Sequence, residues 1–338
     1  MIVVNWNRAE LLRCCLRSLA GQSGVDFEIV IVDNGSTDHS LRVIDEFMKS
    51  SSIPVQVIRN EGNRGFCAAN NQGIRAARGE YIALLNNDAE AEPGWLEAMW
   101  RELRERPDFG MIASKILVYE DQRKIDKAGH LIYLDGQNRG RGSGEIDYGQ
   151  YDRIEEVLWP DGCAALYRKS MLDEIGGFDE DLFAYGDDAE LGLRARIAGW
   201  NCLYVPDAVV RHHRGSTLGL LSSRRIELIE RNRLLLAIKH FPVSLLLLNG
   251  FYWSARVAAG LWAAARGKGE VGRFPGVSGK LRAAAALLKG SAEAMVLAPR
   301  TLRKRRALRP LRRLTPKQIR RLLVHYRISL KTITEQSI

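Results

Sequence analysis

The stretch Tyr81-Ile-Ala-Leu-Leu-Asn86-Asn87-Asp88 constrains this chain more than any other, because an apolar run stops abruptly at three polar side chains. Tyr81 to Leu85 is apolar on both faces, the pattern of a central strand covered by helices on each side. Glu92-Pro93-Gly94-Trp95 then reads as a helix start with proline in its first turn, and Trp95, Met99 and Leu103 recur at helical spacing. Asn86, Asn87 and Asp88 therefore lie beyond the carboxyl end of a strand, where open α/β sheets bind their ligands. One carboxylate beside amide oxygens suits a hard divalent cation held mostly by water and substrate phosphates. An ordinary polar strand-to-helix turn carries the same signature.

The preceding residues repeat the pattern. Residues 2 to 5 and Glu28 to Asp33 are β-branched runs separated by a helix with Leu11, Leu12, Cys15, Leu16 and Leu19 on one face. Such a strand-helix-strand unit demands a parallel pair with a right-handed crossover. The second strand runs into Asp33-Asn34-Gly35-Ser36-Thr37-Asp38; a helix with Leu41, Ile44 and Phe47 and a third strand, Val55 to Ile58, follow. The Gly/Asn-rich turn from Asn60 to Gly73 contains Asn63, Arg64 and Gly65. Its backbone amides can approach an anion closely and Arg64 adds charge, although a plain loop with glycine at positive φ reads the same way. Three polar turns, at Asp33, Asn63 and Asp88, converge on one edge of a four-strand α/β unit.

Residues 110 to 160 are less regular. Arg139-Gly-Arg-Gly-Ser-Gly144 reads as a mobile loop and Asp147 to Glu156 as a polar, acidic segment, together an excursion on the acceptor side. Asp161 to Arg168 is a strand leaving a turn. Asp187 and Asp188 then head a helix whose apolar face continues through Leu193 and Ile197 and which stops at Gly199. Capping, the helix dipole and a Glu190–Arg194 pair at i,i+4 account for acids at a helix start. Yet Asp187, Asp188 and Glu190 in one turn bring more charge than a cap needs, and a carboxylate near another and near a phosphate-metal site can serve as general base for a hydroxyl. The strand around Val205 to Val210 ends in His212-His213, whose neutral imidazoles could complete a metal site or bind a diphosphate oxygen. A surface histidine pair has the same appearance.

Charge divides the chain in two. Residues 1–230 carry 27 Lys and Arg against 37 Asp and Glu, whereas 231–338 carry 23 against 3, so a catalytic domain over 1–230 joined to a helical, basic, surface-binding extension over 231–338 is expected. Five cysteines, odd in number and without Cys-x-x-Cys spacing, indicate neither a zinc site nor a disulfide framework, and fit a reducing cytosol. The chain opens on a strand, Ile2-Val3-Val4, rather than on a signal peptide, and that strand is short enough that a few residues are expected upstream. Val243 to Ala265 is long enough to span a bilayer, but Asn249 and Arg256 interrupt it and its second half is alanine-rich, so a surface-lying or packed helix is the better expectation. Arg300 to Arg327 is a dense, helix-like basic run suited to any polyanion. Without an aromatic-interleaved RNA module or a DNA-binding motif, an anionic membrane surface is the expected partner and nucleic acid is not.

Taken in order, Val-Asn-Trp-Asn, Val-Asp-Asn-Gly-Ser-Thr-Asp, Asn-x-Gly-Phe-x-x-x-Asn-Asn, Leu-Asn-Asn-Asp, Gly-Gly-Phe-Asp-Glu, Gly-Asp-Asp-x-Glu-Leu and His-His-x-Gly-Ser resemble the family 2 inverting glycosyltransferases of GT-A fold, most closely their bacterial rhamnosyltransferase-like branch. The likeness covers residues 2 to 220. It implies a Rossmann-like, mostly parallel α/β sheet flanked by helices and a nucleotide-sugar donor, with Asp33 near the base or ribose and Asn5, Asn34, Asn63, Gly65, Asn86 and Asn87 around the nucleotide. Asp88 corresponds to the retained aspartate of the Asp-x-Asp metal motif, with Asn86 at its first position. Asp188 takes the place of the catalytic base in the family's Glu-Asp pair, with Asp187 where glutamate is usual, and His212 or His213 that of the diphosphate or metal ligand. The implied cofactor is Mg²⁺ or Mn²⁺. The implied activity is transfer of a sugar, rhamnose from dTDP-rhamnose, to a glycan or polyprenyl-linked acceptor at the cytoplasmic face of a bacterial inner membrane, with the protein bound peripherally. UDP- or GDP-sugar transfer and a non-catalytic nucleotide-sugar-binding scaffold are the alternatives.

Overall fold

Short β-branched runs alternate with amphipathic helices from the first residues onward, and the computed structural model, which describes residues 1–214 and 222–335, folds them as that alternation demands. The first half runs β1 (Ile2–Asn5), α1 (Ala9–Ala20), β2 (Ile29–Asp33), α2 (Ser40–Ser50), β3 (Val55–Arg59), α3 (Phe66–Ala76), β4 (Tyr81–Leu85), β5 (Ala89–Ala91) and α4 (Trp95–Arg104). Next come β6 (Phe109–Val118), β7 (Ile125–Lys127), β8 (His130–Ile132), β9 (Asn138–Gly140), β10 (Glu155–Val157), β11 (Ala164–Arg168), α5 (Lys169–Ile175), α6 (Asp187–Ile197) and β12 (Asn201–His212). Helices follow: α7 (Ser223–His240), α8 (Val243–Leu247), α9 (Asn249–Ala265), α10 (Gly269–Gly272), α11 (Gly276–Ala307), α12 (Pro316–His325) and α13 (Leu330–Glu335). The chain groups into two compact units, one of Met1–Gly129, Glu145–Arg196 and Trp200–Arg214, the other of His130–Gly144, Ile197–Gly199 and Gly215–Ile338.

The first unit is a mixed, mostly parallel sheet in the order β10-β12-β6-β11-β4-β1-β2-β3. β4, β1, β2 and β3 run parallel, as the strand-helix-strand pattern requires, while β11 enters antiparallel between β4 and β6. Every residue of β2 is buried, which a strand attains only when both sheet faces are covered. Its core joins Leu12, Leu16 and Leu19 of α1 and Ile44 of α2 to Trp95, Met99 and Leu103 of α4. Helix α4 begins at Trp95, with Gly94 at φ +81° flanking it, so Pro93 lies before the helix and not in its first turn. The 110–160 region is more regular than its polar composition suggests. It holds the ten-residue β6, whose near-continuous burial replaces the alternation that marks half-exposed strands. Arg139 and Gly140, read as a mobile loop, lie in β9, hydrogen-bonded antiparallel to β8.

The second unit is largely helical, with Ile226 of α7 packed on Ala283 and Ala286 of α11 and on Phe274. The apolar stretch 243–265 is not one helix but two, α8 and α9. No helix among the described residues is long and apolar enough to cross a membrane. Arg256, which interrupts that stretch in sequence, is neutralised locally: its Nε lies 2.5 Å from Asp135 Oδ2 and its Nη2 2.7 Å from Glu230 Oε2. Trp253 Nε1 also donates to Glu230 Oε1 at 2.8 Å. Burial alone would raise the Glu230 carboxyl, but Arg256 and Arg233 outweigh it and hold its pKa at about 2. The basic run from Arg300 is likewise broken, into the end of α11, a 3₁₀ turn at Arg309–Leu311 and α12.

Candidate active site

The carboxyl ends of β1, β2 and β4 and the turn after β3 supply one polar floor. Parallel register sets Asn5 directly beside Asp33, each the last residue of its strand, so Asn5 Nδ2 donates to Asp33 Oδ1 at 3.1 Å and to Ser36 Oγ at 3.0 Å. Both are buried, and buried polar groups must find partners. From β4, Asn87 Nδ2 donates to Asn5 Oδ1 at 2.7 Å. On the other side, Asn34 Nδ2 donates to Asn63 Oδ1 at 3.0 Å, and Asn34 Oδ1 accepts the Arg64 amide, also at 3.0 Å. Asn63 Oδ1 in turn receives the Gly65 amide at 2.8 Å. Gly65 has φ +85°, and a Cβ there would sit 2.8 Å from the Phe183 carbonyl oxygen, so the turn both needs a left-handed conformation and leaves no room for a side chain. Asn86 is fixed through its backbone, its amide donating to the Cys163 carbonyl at 2.8 Å. The three turns read from the sequence thus meet, with Asn5, Asp33, Asn34, Asn63, Gly65, Asn86 and Asn87 in one neighbourhood.

Asp88 stands beside this floor, and β5 explains which histidine reaches it. β5 pairs antiparallel with the end of β12, His212 opposite Ala89, and the His213 amide donates to the Asp88 carbonyl at 2.9 Å. The register brings His212 Nε2 to 3.5 Å from Asp88 Oδ1. His213 turns elsewhere: its ring stacks on Tyr119 at 3.6 Å between centroids, and its Nε2 lies 3.4 Å from Glu90 Oε1.

Behind His212 is Asp126, fully buried on β7, its Oδ2 2.7 Å from His212 Nδ1 and its Oδ1 3.0 Å from Arg214 Nε. Burial by itself would raise the Asp126 carboxyl, yet Lys127, His212 and Arg214 hold it below the usual range. An ionised Asp126 accepts the Nδ1 proton and so leaves the Nε2 lone pair of a neutral ring aimed at Asp88. Asp88 Oδ1 is buried and has no hydrogen-bond donor among the described residues. Two inward-facing lone pairs at that separation fit a divalent cation chemically, with Asp88 and His212 as its protein ligands. Without a cation a proton takes that role: burial opposes the charged His212 ring, but the Cys163 sulfur and the Asp126 and Asp88 carboxylates raise its pKa well above the usual imidazole value.

The head of α6 carries the second acidic cluster. Asp187 is buried, and burial first, then the Asp188 charge, pushes its carboxyl pKa well above the usual range. Asp188 is half-buried; its Oδ1 accepts the Ala189 amide at 2.7 Å, and its carboxylate lies within 4.8 Å of the Asp161 carboxylate. Asp161 receives Lys127 Nζ at 2.5 Å. Burial opposes the lysine charge, but Asp161 and Asp126 outweigh it and raise its pKa. Lys127 therefore joins the acids behind His212 to those at the head of α6. The Glu190–Arg194 pair is no surface pair. Both side chains are buried, and Arg194 donates to the carbonyls of Ile175 at 2.5 Å, Gly176 at 3.0 Å and Gly177 at 2.6 Å, which fixes the Gly-Gly-Phe turn before α6. Asp126 and Lys127 escaped the sequence reading because they sit in the stretch taken as irregular; an Ile-Asp-Lys strand of three residues offers no periodicity to find.

Comparison with known proteins agrees with this architecture. Residues 1–176 match the glycosyl transferase family 2 profile, a span that includes every residue of the polar floor and Asp88. The chain is 30% identical over 230 residues to an uncharacterized protein of Sinorhizobium fredii, 65% of this chain but only 25% of that protein's length. It is 27% identical over 242 residues to the N-acetylglucosaminyl-diphospho-decaprenol L-rhamnosyltransferase of Mycobacterium tuberculosis, covering 65% of this chain and 77% of the relative. Among solved structures, a mannosyltransferase from Pyrobaculum calidifontis in complex with GDP-Man and Mn²⁺ aligns over 92% of this chain and 84% of its own, with a TM-score of 0.53 and 19% identity. At that identity the likeness speaks for the fold, a GT-A-like α/β sheet flanked by helices. With the family profile extending over more than half of the sequence and the sheet and its strand-end turns arranged as described, the chain belongs to glycosyl transferase family 2.

Proposed function

We propose that this protein is an inverting glycosyltransferase that takes a sugar from a nucleoside-diphosphate donor. The observation that carries the reading is the pairing of one continuous polar floor, from Asn63 through Asn34, Asp33 and Asn5 to Asn87, with the buried Asp88 carboxylate beside it, whose Oδ1 has no donor among the described residues. Asp33 holds base or ribose, and Asn5, Asn34, Asn63, Gly65, Asn86 and Asn87 line the nucleotide. Mg²⁺ or Mn²⁺, when bound by Asp88 and His212, supplies charge neutralisation for the departing nucleoside diphosphate. Asp188 takes the proton of the acceptor hydroxyl while that oxygen attacks the anomeric carbon from the face opposite the leaving group, which inverts the configuration. Burial and the Asp188 charge push the Asp187 carboxyl pKa up, which favours leaving the negative charge on that base.

Rhamnose from dTDP-rhamnose is the donor we favour, supported by the 27% identity to an L-rhamnosyltransferase. A lipid-linked or polysaccharide acceptor follows from the same likeness. The scarcity of acids after residue 230 supports peripheral attachment to an anionic membrane, with residues 1–230 catalytic and 231–338 the attaching part. Calorimetric titration of the protein with dTDP, UDP and GDP, each with and without Mn²⁺, tests the reading. Tight, Mn²⁺-enhanced binding of dTDP is expected; preference for UDP or GDP reassigns the donor, and failure of all three in folded protein overturns the nucleotide-sugar reading.

A further inference from the structure

Helix α11 buries its small residues and exposes its large ones. Gly279, Ala283, Ala286, Gly290 and Ala294 face inward. A Cβ at Gly290 would lie 2.4 Å from the Glu227 carbonyl oxygen, so the backbones of α11 and α7 touch there. On the opposite side Val277, Leu281, Leu288 and Met295 are 75, 65, 63 and 62% exposed, and Leu302 is 45% exposed. With the helical turn these five fall within an arc of about 60° along about 37 Å of helix. Isolated exposed leucines are ordinary, but a continuous apolar stripe of this length marks an interaction site.

The flanks say what covers it. Arg303 lies along one border, Lys280 along the other, and Arg306 continues the line of the stripe; Arg282 and Arg300 lie further round the helix, and Lys289 is engaged by Glu227 of α7, its Nζ 3.1 Å from Oε2. The helix has a single acid, Glu293, and that is turned away toward Lys289, Arg224 and Arg231, each 3.8 Å off. A second copy of the chain would set basic border against basic border in either orientation, with no acid on the face to relieve the repulsion. An anionic lipid leaflet offers hydrocarbon for the stripe and negative headgroups for its borders together, the arrangement of a helix lying in a membrane interface.

We propose that the outward face of α11 is a membrane-docking surface that inserts Leu281, Leu288 and Met295 among the acyl chains of an anionic leaflet. This goes beyond attachment by the basic run alone and does not depend on the sugar-transfer reading. Pure electrostatic attachment is screened away at about 1 M salt, where the Debye length is about 3 Å; attachment by insertion persists. The test is co-sedimentation of the full chain with vesicles of equal parts phosphatidylglycerol and phosphatidylcholine, washed in low and high salt. Wild-type protein should remain bound in high salt, and the triple variant Leu281→Gln, Leu288→Gln, Met295→Gln should bind about tenfold more weakly or worse. These side chains are exposed, so an unchanged melting temperature is expected and checks folding. Vesicle binding equal to wild type, wild-type release by salt, or loss of a dimer in sedimentation velocity with vesicle binding intact would each overturn the proposal, the last in favour of a second copy.

Discussion

Asp126→Asn isolates the orientation of His212 from the ligands themselves. The substitution preserves shape at a fully buried position but replaces an anionic acceptor, 2.7 Å from His212 Nδ1, with a neutral amide. A hydrogen bond to a charged group contributes about 1.5–3 kcal/mol against about 0.5–1.5 for a neutral one, so roughly 1–1.5 kcal/mol of the preference for the Nδ1–H tautomer is lost. The Asn amide group can also turn its own N–H toward Nδ1 and favour the wrong tautomer. Together these predict Mn²⁺ binding weakened by about 10- to 100-fold, the usual effect of removing a partner behind a metal-ligating histidine. Mn²⁺ titration followed by electron paramagnetic resonance, with the melting temperature as a folding control, measures it. Asp88→Asn should abolish the same binding. If Asp88→Asn loses Mn²⁺ while Asp126→Asn binds it like wild type, then His212 is not a ligand oriented by Asp126 and the reasoning fails.

Arg194→Leu should destabilise the protein by about 3–5 kcal/mol in urea unfolding, because it leaves the buried Glu190 without its cation and three carbonyls of the 175–177 turn without this donor; a loss below about 1 kcal/mol refutes the clamp. Asp187 has its carboxyl pKa raised by folding, so its contribution to stability is fullest below the unfolded carboxylate range and is lost as pH rises through the raised folded value. Asp187→Asn mimics the neutral acid and should leave the melting temperature unchanged near about pH 4 but raise it near about pH 9; an equal shift at both refutes the burial argument. Asp188→Asn should remove transfer while donor binding, read by calorimetry, stays close to wild type; joint loss of both assigns Asp188 a structural role.

Much of the first unit was legible from local pattern, since apolar runs ending in polar clusters fix both the strands and the end of the sheet at which those clusters gather. Asn5, Asp33, Asn34, Asn63, Asn87 and Asp88 could be named because each closes such a run. What the sequence could not rank was the histidine pair, since His212 and His213 are equivalent as letters. Only the register of β5 on β12 sends one ring to Asp88 and the other to Tyr119. The same holds for Asp126 and Lys127, whose three-residue strand has no periodicity and whose partners lie 86 and 34 residues away. Arg256 looked like a break in an apolar segment until folding set Asp135 and Glu230 around it. The long apolar face of α11 escaped notice because its inward glycines and alanines look weak by composition and its leucines look buried. Local hydrophobic period is a property of consecutive residues and survives in the sequence, so it determined the elements and the ligand-binding edge. Which side of a helix faces the core, and which charges meet across a strand, depends on residues far apart in the chain, and only the tertiary structure decides it.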